Sequence, residues 1–367
     1  MILEKLGIPD NIIYSAKKLW DETLLEVDYQ YDDLVKEEEI YYLVKDIKIS
    51  DKKINNVYLN LNLNKTNNVD YPTFSGMSIL TEVESRNIKR VKYKQTDDIR
   101  IIVDIFFNEK NDKSDIINLF FKEKIKIISG FAHELKHHYD YHKKKVGPAK
   151  DYIDYIQMDE FNMGIHPLNK FFYYLYYSSS VENLVRTTEV GTYVKIGDVK
   201  KKEFFEFLKS NDVYKNLDDM SKYNIELLYK ELYDSMDQIV NFLNVLEIKL
   251  GTDEENIETV IKIALDHIFN KKIEALKNHL SEVDDMLIYF NKNSVDDFFN
   301  HFHKIYLKYE NKPNKFFEYQ IKMINFIGNK YKRKVIKLYD IIDEEPIEIH
   351  NKINKRLDNF KNFKNER

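Results

Sequence analysis

Apolar positions in this chain change period twice, and those changes mark out its elements. From residue 9 to 25, Ile12, Ile13, Ala16, Leu19 and Trp20 fall on one face of a helix, and Pro9 suits its first turn. After the acidic Glu37-Glu38-Glu39, the run Ile40 to Ile49 is rich in Tyr, Val and Ile. Val57, Leu59, Leu61 and Leu63 then alternate with Tyr58, Asn60, Asn62 and Asn64, the period of two of a half-buried strand. Met77 to Val83 and Val91 to Tyr93 are weaker strands, and Ile99 to Phe107 is the most apolar and the one expected to be most buried. Past Asp115 the period becomes helical, with Ile116, Phe120, Ile127, Ile128, Phe131 and Leu135, up to the break at Gly147-Pro148.

A connector with Gly164 and His166-Pro167 follows, and beyond Leu168 the chain reads as helix. Thr252-Asp253-Glu254-Glu255 is a capping box ahead of Ile257, Val260, Ile261, Ile263 and Ala264, and Pro313 and Pro346 open further helices. The prediction is an α+β protein whose N-terminal half combines a mixed sheet with one long helix, followed by a mostly helical C-terminal half. Its segments are 1–110 (helix and sheet), 111–195 (two helices carrying the chemistry) and 196–367 (helical). Phe204, Phe205, Phe207, Leu227, Leu228, Leu232, Tyr289 and Tyr319 supply the apolar positions of the last segment, which holds no phosphate loop or long heptad run.

Composition narrows the function classes. The 367 residues are 43% hydrophobic and 14% aromatic, enough for a sizeable core. A net charge of -5 gives no argument for a nucleic-acid partner, and the basic tail Lys352 to Arg367 reads as a solvated terminal helix ahead of a contact with nucleic acid or another protein. The uncharged stretch Phe171 to Val181 is too short for a bilayer span of about 20 residues. Without a signal peptide at Met1 to Gly7, a chain kept inside a host cell or packed into a particle is expected. Absence of cysteine excludes disulfides, thiolate metal sites and cysteine nucleophiles, leaving His and carboxylates as the available ligands.

Four of the ten His lie between 133 and 142, in Phe131-Ala132-His133-Glu134-Leu135-Lys136-His137-His138-Tyr139-Asp140. This is His-Glu-x-x-His in a helical pattern. Residues i and i+4 share a face, so His133 and His137 can both turn an imidazole to one ion. Glu134, about 100° around the axis, can reach a metal-activated water without ligating. Lys136 occupies a position that is usually uncharged in such peptidases, and it reads as the solvent side, sharing a face with Asp140 and Lys143. A catalytic zinc needs a third protein ligand and one open position. Asp140 and Lys143 stand where metzincins place Gly and a third His, and His142 is one position off. Gly251-Thr252 is followed by Glu255 rather than the Asp of an aspzincin, and the inverted motif is absent. A glutamate from a second helix is what remains.

The segment Tyr176-Tyr177-Ser178-Ser179-Ser180-Val181-Glu182-Asn183-Leu184-Val185-Arg186-Thr187-Thr188-Glu189 completes a pattern. Together with His-Glu-Leu-x-His it resembles gluzincin-type zinc metallopeptidases, in particular small bacteriophage-encoded ones, over roughly residues 90 to 195. That resemblance implies Glu182 as third ligand, 45 residues after His137, with Arg186 and Glu189 as accompanying positions. Read locally, Ser179 and Glu182 also form a capping box, and Glu182 with Arg186 an ordinary i,i+4 ion pair. Glu189, on the same face, is the competing ligand. Asp140 is a further one, though at i+3 from His137 it reads rather as orienting an imidazole or pairing with Lys136, and His138 reads as packed or hydrogen-bonded. Oxyanion stabilisation falls to Tyr193, Arg186 or His166, among which the sequence does not choose. His301 and His303, two apart on a helix, face different ways. The expectation is a zinc metallopeptidase acting on protein or peptide, phage-encoded. The alternative is a non-catalytic structural or interaction protein of a phage particle with a zincin-like domain.

Overall fold

The computed structural model describes residues 9–37, 39–48, 53–80, 98–142, 162–178, 180–278 and 295–342. Helix α1 (Asp10–Tyr29) follows Pro9 directly, and its Ile12, Ile13, Ala16, Leu19 and Trp20 are all buried. A short α2 (Tyr31–Glu37) leads into β1 (Glu39–Lys48), β2 (Lys53–Lys65), β3 (Thr73–Leu80) and β4 (Asp98–Phe107). The sheet runs β1-β2-β4-β3, with β2 and β4 parallel and both outer pairs antiparallel. Val57, Leu59, Leu61 and Leu63 pair in register with Ile99, Ile101, Val103 and Ile105, placing both sets on one buried face. The other face is polar, with Asn62 Nδ2 donating to Asp104 Oδ1 at 3.0 Å. Even the central β4 is not buried throughout, since Phe106 on that second face is 40% exposed.

The helical run expected from Asp115 is two helices, α3 (Lys113–Lys122) and α4 (Lys124–His142), divided at Glu123. Asp112 and Asp115 make a reciprocal capping box that starts α3. At its other end the indole N–H of Trp20 donates to the Phe120 carbonyl at 3.2 Å. An unbroken helix would give that carbonyl to Lys124. The partner that allows the break lies 100 residues away, which is why helical periodicity does not show it. Helices α1, α3 and α4 cover the apolar sheet face and form one core with it.

A second core is entirely helical. Its elements are α5 (His166–Tyr177), α6 (Ser180–Ile196), α7 (Phe204–Ser210), α8 (Asp212–Lys222), α9 (Ile225–Tyr233), α10 (Met236–Val245), α11 (Asp253–Asn278), α12 (Val295–Tyr309) and α13 (Pro313–Ile336). The capping box before α11 forms as the sequence pattern predicts. Thr252 N–H donates to Glu255 Oε2 at 2.7 Å, and Glu255 N–H donates to Thr252 Oγ1 at 3.3 Å. Phe171 of α5 packs its ring 4.6 Å from that of Phe317 of α13 within this core, whereas Phe205 and Tyr319 are about half exposed. The chain is thus mostly helical with a small mixed sheet, an α+β arrangement. The boundary between the two cores falls inside segment 111–195, because α4 packs with the sheet and α6 with the helices. The expected elements at Val91–Tyr93, Gly147-Pro148, Pro346 and Lys352–Arg367, and Tyr289, lie outside the described residues. No helix among the described residues is long and apolar enough to cross a membrane.

Candidate metal centre

Helix α4 packs against other elements on two sides. Ile127, Ile128, Phe131, Ala132 and Leu135 are fully buried against the sheet and α1, and α6 covers the side that carries the imidazoles. Lys136 does not lie on a solvent side: it is 2% exposed, with its ammonium 5.4 Å from the Tyr139 ring. Neighbouring elements cover this part of the helix, and a long aliphatic stem tolerates that placement.

One turn of α4 brings His133 Nε2 and His137 Nε2 to 3.0 Å from each other. Glu182, in the first turn of α6, reaches over both. Its Oε1 is 3.4 Å from His137 Nε2 and its Oε2 is 3.6 Å from His133 Nε2. The three residues offer ligand atoms that all lie within 4.8 Å of one another. Tetrahedral coordination with bonds of about 2.0 Å needs donors separated by about 3.3 Å. The imidazole nitrogens at 3.0 Å, and the approaches of Oε1 to His137 at 3.4 Å and of Oε2 to His133 at 3.6 Å, lie near that value, each imidazole meeting a different carboxylate oxygen.

Behind this triangle stands a second layer of polar groups. Glu189, two turns along α6 from Glu182, places Oε2 3.2 Å from His133 Nδ1, on the ring edge opposite the triangle. Arg186 lies between the two carboxylates, with one Nη 3.0 Å from Glu182 Oε2 and the other 3.0 Å from Glu189 Oε2. Its guanidinium carbon sits 4.3 Å from the Tyr177 ring centroid. The hydroxyl of Tyr176 donates to Glu182 Oε1 at 2.7 Å. The i,i+4 ion pair read from the sequence therefore exists alongside the approach of Glu182 to both imidazoles. Ser179, its expected capping partner, lies outside the described residues.

Burial dominates the electrostatics of these groups, and their neighbours decide the outcome. Burial pushes the Glu134 carboxyl above its ordinary value, against the lowering charges of His133 and His137. Burial alone would raise Glu182, but the hydrogen bond from His137 and the charges of His133 and Arg186 hold it well below the usual carboxylate range. Glu189 behaves likewise, with Arg186 the main opposing charge. Burial lowers His137, yet its hydrogen bond to Glu182 and that carboxylate's charge leave it raised overall.

Other candidates are placed elsewhere. Glu189 faces the back of His133 rather than the triangle, and both terminal nitrogens of Arg186 are engaged by carboxylates. Tyr193, one turn beyond Glu189, packs its ring 6.0 Å from Phe207, and burial raises its phenol. His166 is exposed at the opening of α5, where its backbone N–H donates to Gln238 Oε1 at 2.8 Å. Ten residues of helix, about 15 Å, separate it from Tyr176. The side chains of Asp140, His138 and His301 lie outside the described residues, and His303 is exposed. Tyr176 is the contributor that sequence reading misses. It lies six residues before Glu182 in an aromatic run with many packing tyrosines, so only the turn between α5 and α6 singles it out. No protein-family model, curated protein or solved structure gives a significant match to this chain.

Proposed function

We propose that this chain is a zinc-dependent metallopeptidase of gluzincin type, acting on protein or peptide substrates in phage particle assembly or host takeover. One observation carries the reading: His133, His137 and Glu182 converge with ligand atoms within 4.8 Å of one another, on the same turn of helix that carries the buried Glu134. Two imidazoles and a carboxylate are a donor set that zinc favours, and a surplus of buried carboxylate over guanidinium suits a cation. Zinc bound there supplies a Lewis acid and a water with a pKa near about 7.

The chain's own residues supply the rest. Glu189 accepts from His133 Nδ1–H, which fixes the tautomer that turns the Nε2 lone pair into the triangle. Glu134 takes a proton from the attacking water and returns it to the leaving amine, and a carboxyl raised by burial suits both transfers. Tyr176 keeps a neutral hydroxyl on Glu182 Oε1, since burial raises its phenol.

Glu134→Gln tests the assignment. The variant should keep one equivalent of zinc and lose hydrolysis of an unfolded protein substrate by about 10²-fold or more. Equal cleavage by the variant and the parent removes the enzymatic reading and leaves a metal-binding structural protein of a particle.

A further inference from the structure

We propose that Arg186 is a positioning residue that restricts Glu182 to ligation through a single oxygen, Oε1, and so preserves an open coordination position. This rests on the metal reading above and adds to it a device that sets coordination number. The two oxygens of Glu182 are not equivalent. Oε2, although 3.6 Å from His133 Nε2, lies 3.0 Å from the Arg186 guanidinium, a permanent positive charge that opposes a dication approaching that oxygen. Oε1 lies 3.4 Å from His137 Nε2 and accepts from the neutral hydroxyl of Tyr176, which adds no net charge and can rotate away.

The guanidinium itself is tightly located. Its second nitrogen lies 3.0 Å from Glu189 Oε2, and Tyr177 covers its face at 4.3 Å. Residues 182, 186 and 189 occupy positions i, i+4 and i+7, one stripe of α6, so the helix itself sets their order. Glu189 in turn holds His133 Nδ1 at 3.2 Å. One side chain therefore orients two of the three donors: Glu182 directly and His133 through Glu189. A carboxylate released from the guanidinium can chelate through both oxygens. Chelation raises the coordination number and fills the position a water or substrate needs.

The test uses the full chain with Arg186→Gln and Arg186→Lys, and Zn²⁺ and Co²⁺ as the probes. The parent should bind one equivalent of Co²⁺ with the intense visible bands of a four-coordinate ion. Arg186→Gln should still bind one equivalent of Zn²⁺, and its cobalt bands should lose intensity as coordination number rises. Arg186→Lys keeps the charge without the fork and should fall between, and it carries the comparison if the glutamine variant does not fold. Parent-like bands in Arg186→Gln overturn the proposal. So does a drop in metal-free stability with unchanged bands, because that is a purely structural role. Failure of the parent to bind either ion overturns the underlying metal reading as well.

Discussion

His133 is held from both ring edges, and its surroundings show which parts of the site a sequence can display. Its i+4 relation to His137 is a property of any helix, so the pair is legible from spacing alone. The carboxylate on its Nδ1 is 56 residues away, and its role depends on how α6 lies across α4. Glu189→Gln keeps the shape of that side chain and removes its charge. The zinc affinity of this variant, measured by chelator competition, should fall by about 10–100-fold, the usual cost of losing such an outer partner. Affinity equal to the parent would reduce Glu189 to a packing role. Lys136 teaches the converse. Its charge read as a solvent-facing position, but its 2% exposure reflects neighbours that periodicity along α4 cannot reveal.

Whole elements were more legible than the joins between them. The alternation in β2 and the apolar face of α1 follow from local periods of two and 3.6, and both occur where the pattern places them. The break at Glu123 was not visible, because it depends on the indole of a distant helix. Close approach of helices is equally hidden. Gly328 of α13 lies against α8 so tightly that an added Cβ would stand 2.7 Å from Ser221 N and 2.8 Å from Met220 Cβ. Gly328→Ala adds about 1 kcal/mol of helix propensity, but overpacking of about 1–3 kcal/mol should outweigh it. The variant should therefore unfold at a lower urea midpoint. A raised midpoint would mean that α8 recedes at little cost.

At the scale of the molecule, the candidate centre sits on a seam. His133 and His137 belong to a helix of the sheet core, and Glu182 belongs to a helix of the second core. An ion held by all three ties the two cores together and stabilises the native state by mass action. At free zinc about 1,000 times Kd the gain is about 4 kcal/mol. Trp20, the single tryptophan and 3% exposed in the sheet core, reports that core by fluorescence, and far-UV circular dichroism reports mainly the helices. Zinc should raise the thermal transition seen by both probes, and His133→Ala should abolish both shifts. A shift in only one probe would argue against a bridging ion.

By itself the sequence determined the identity of the ligands available, because a chain without cysteine has only His and carboxylates to offer. It also determined the pairing of His133 with His137 and the alternation that builds the sheet. These are consequences of bond geometry within a few residues. Only the tertiary structure decided that Glu182 reaches both imidazoles, that Glu189 stands behind one of them, that Tyr176 donates to Glu182 and that Lys136 is buried. Each of those facts depends on the relative placement of α4, α5 and α6, which packing between two cores sets and no local period records.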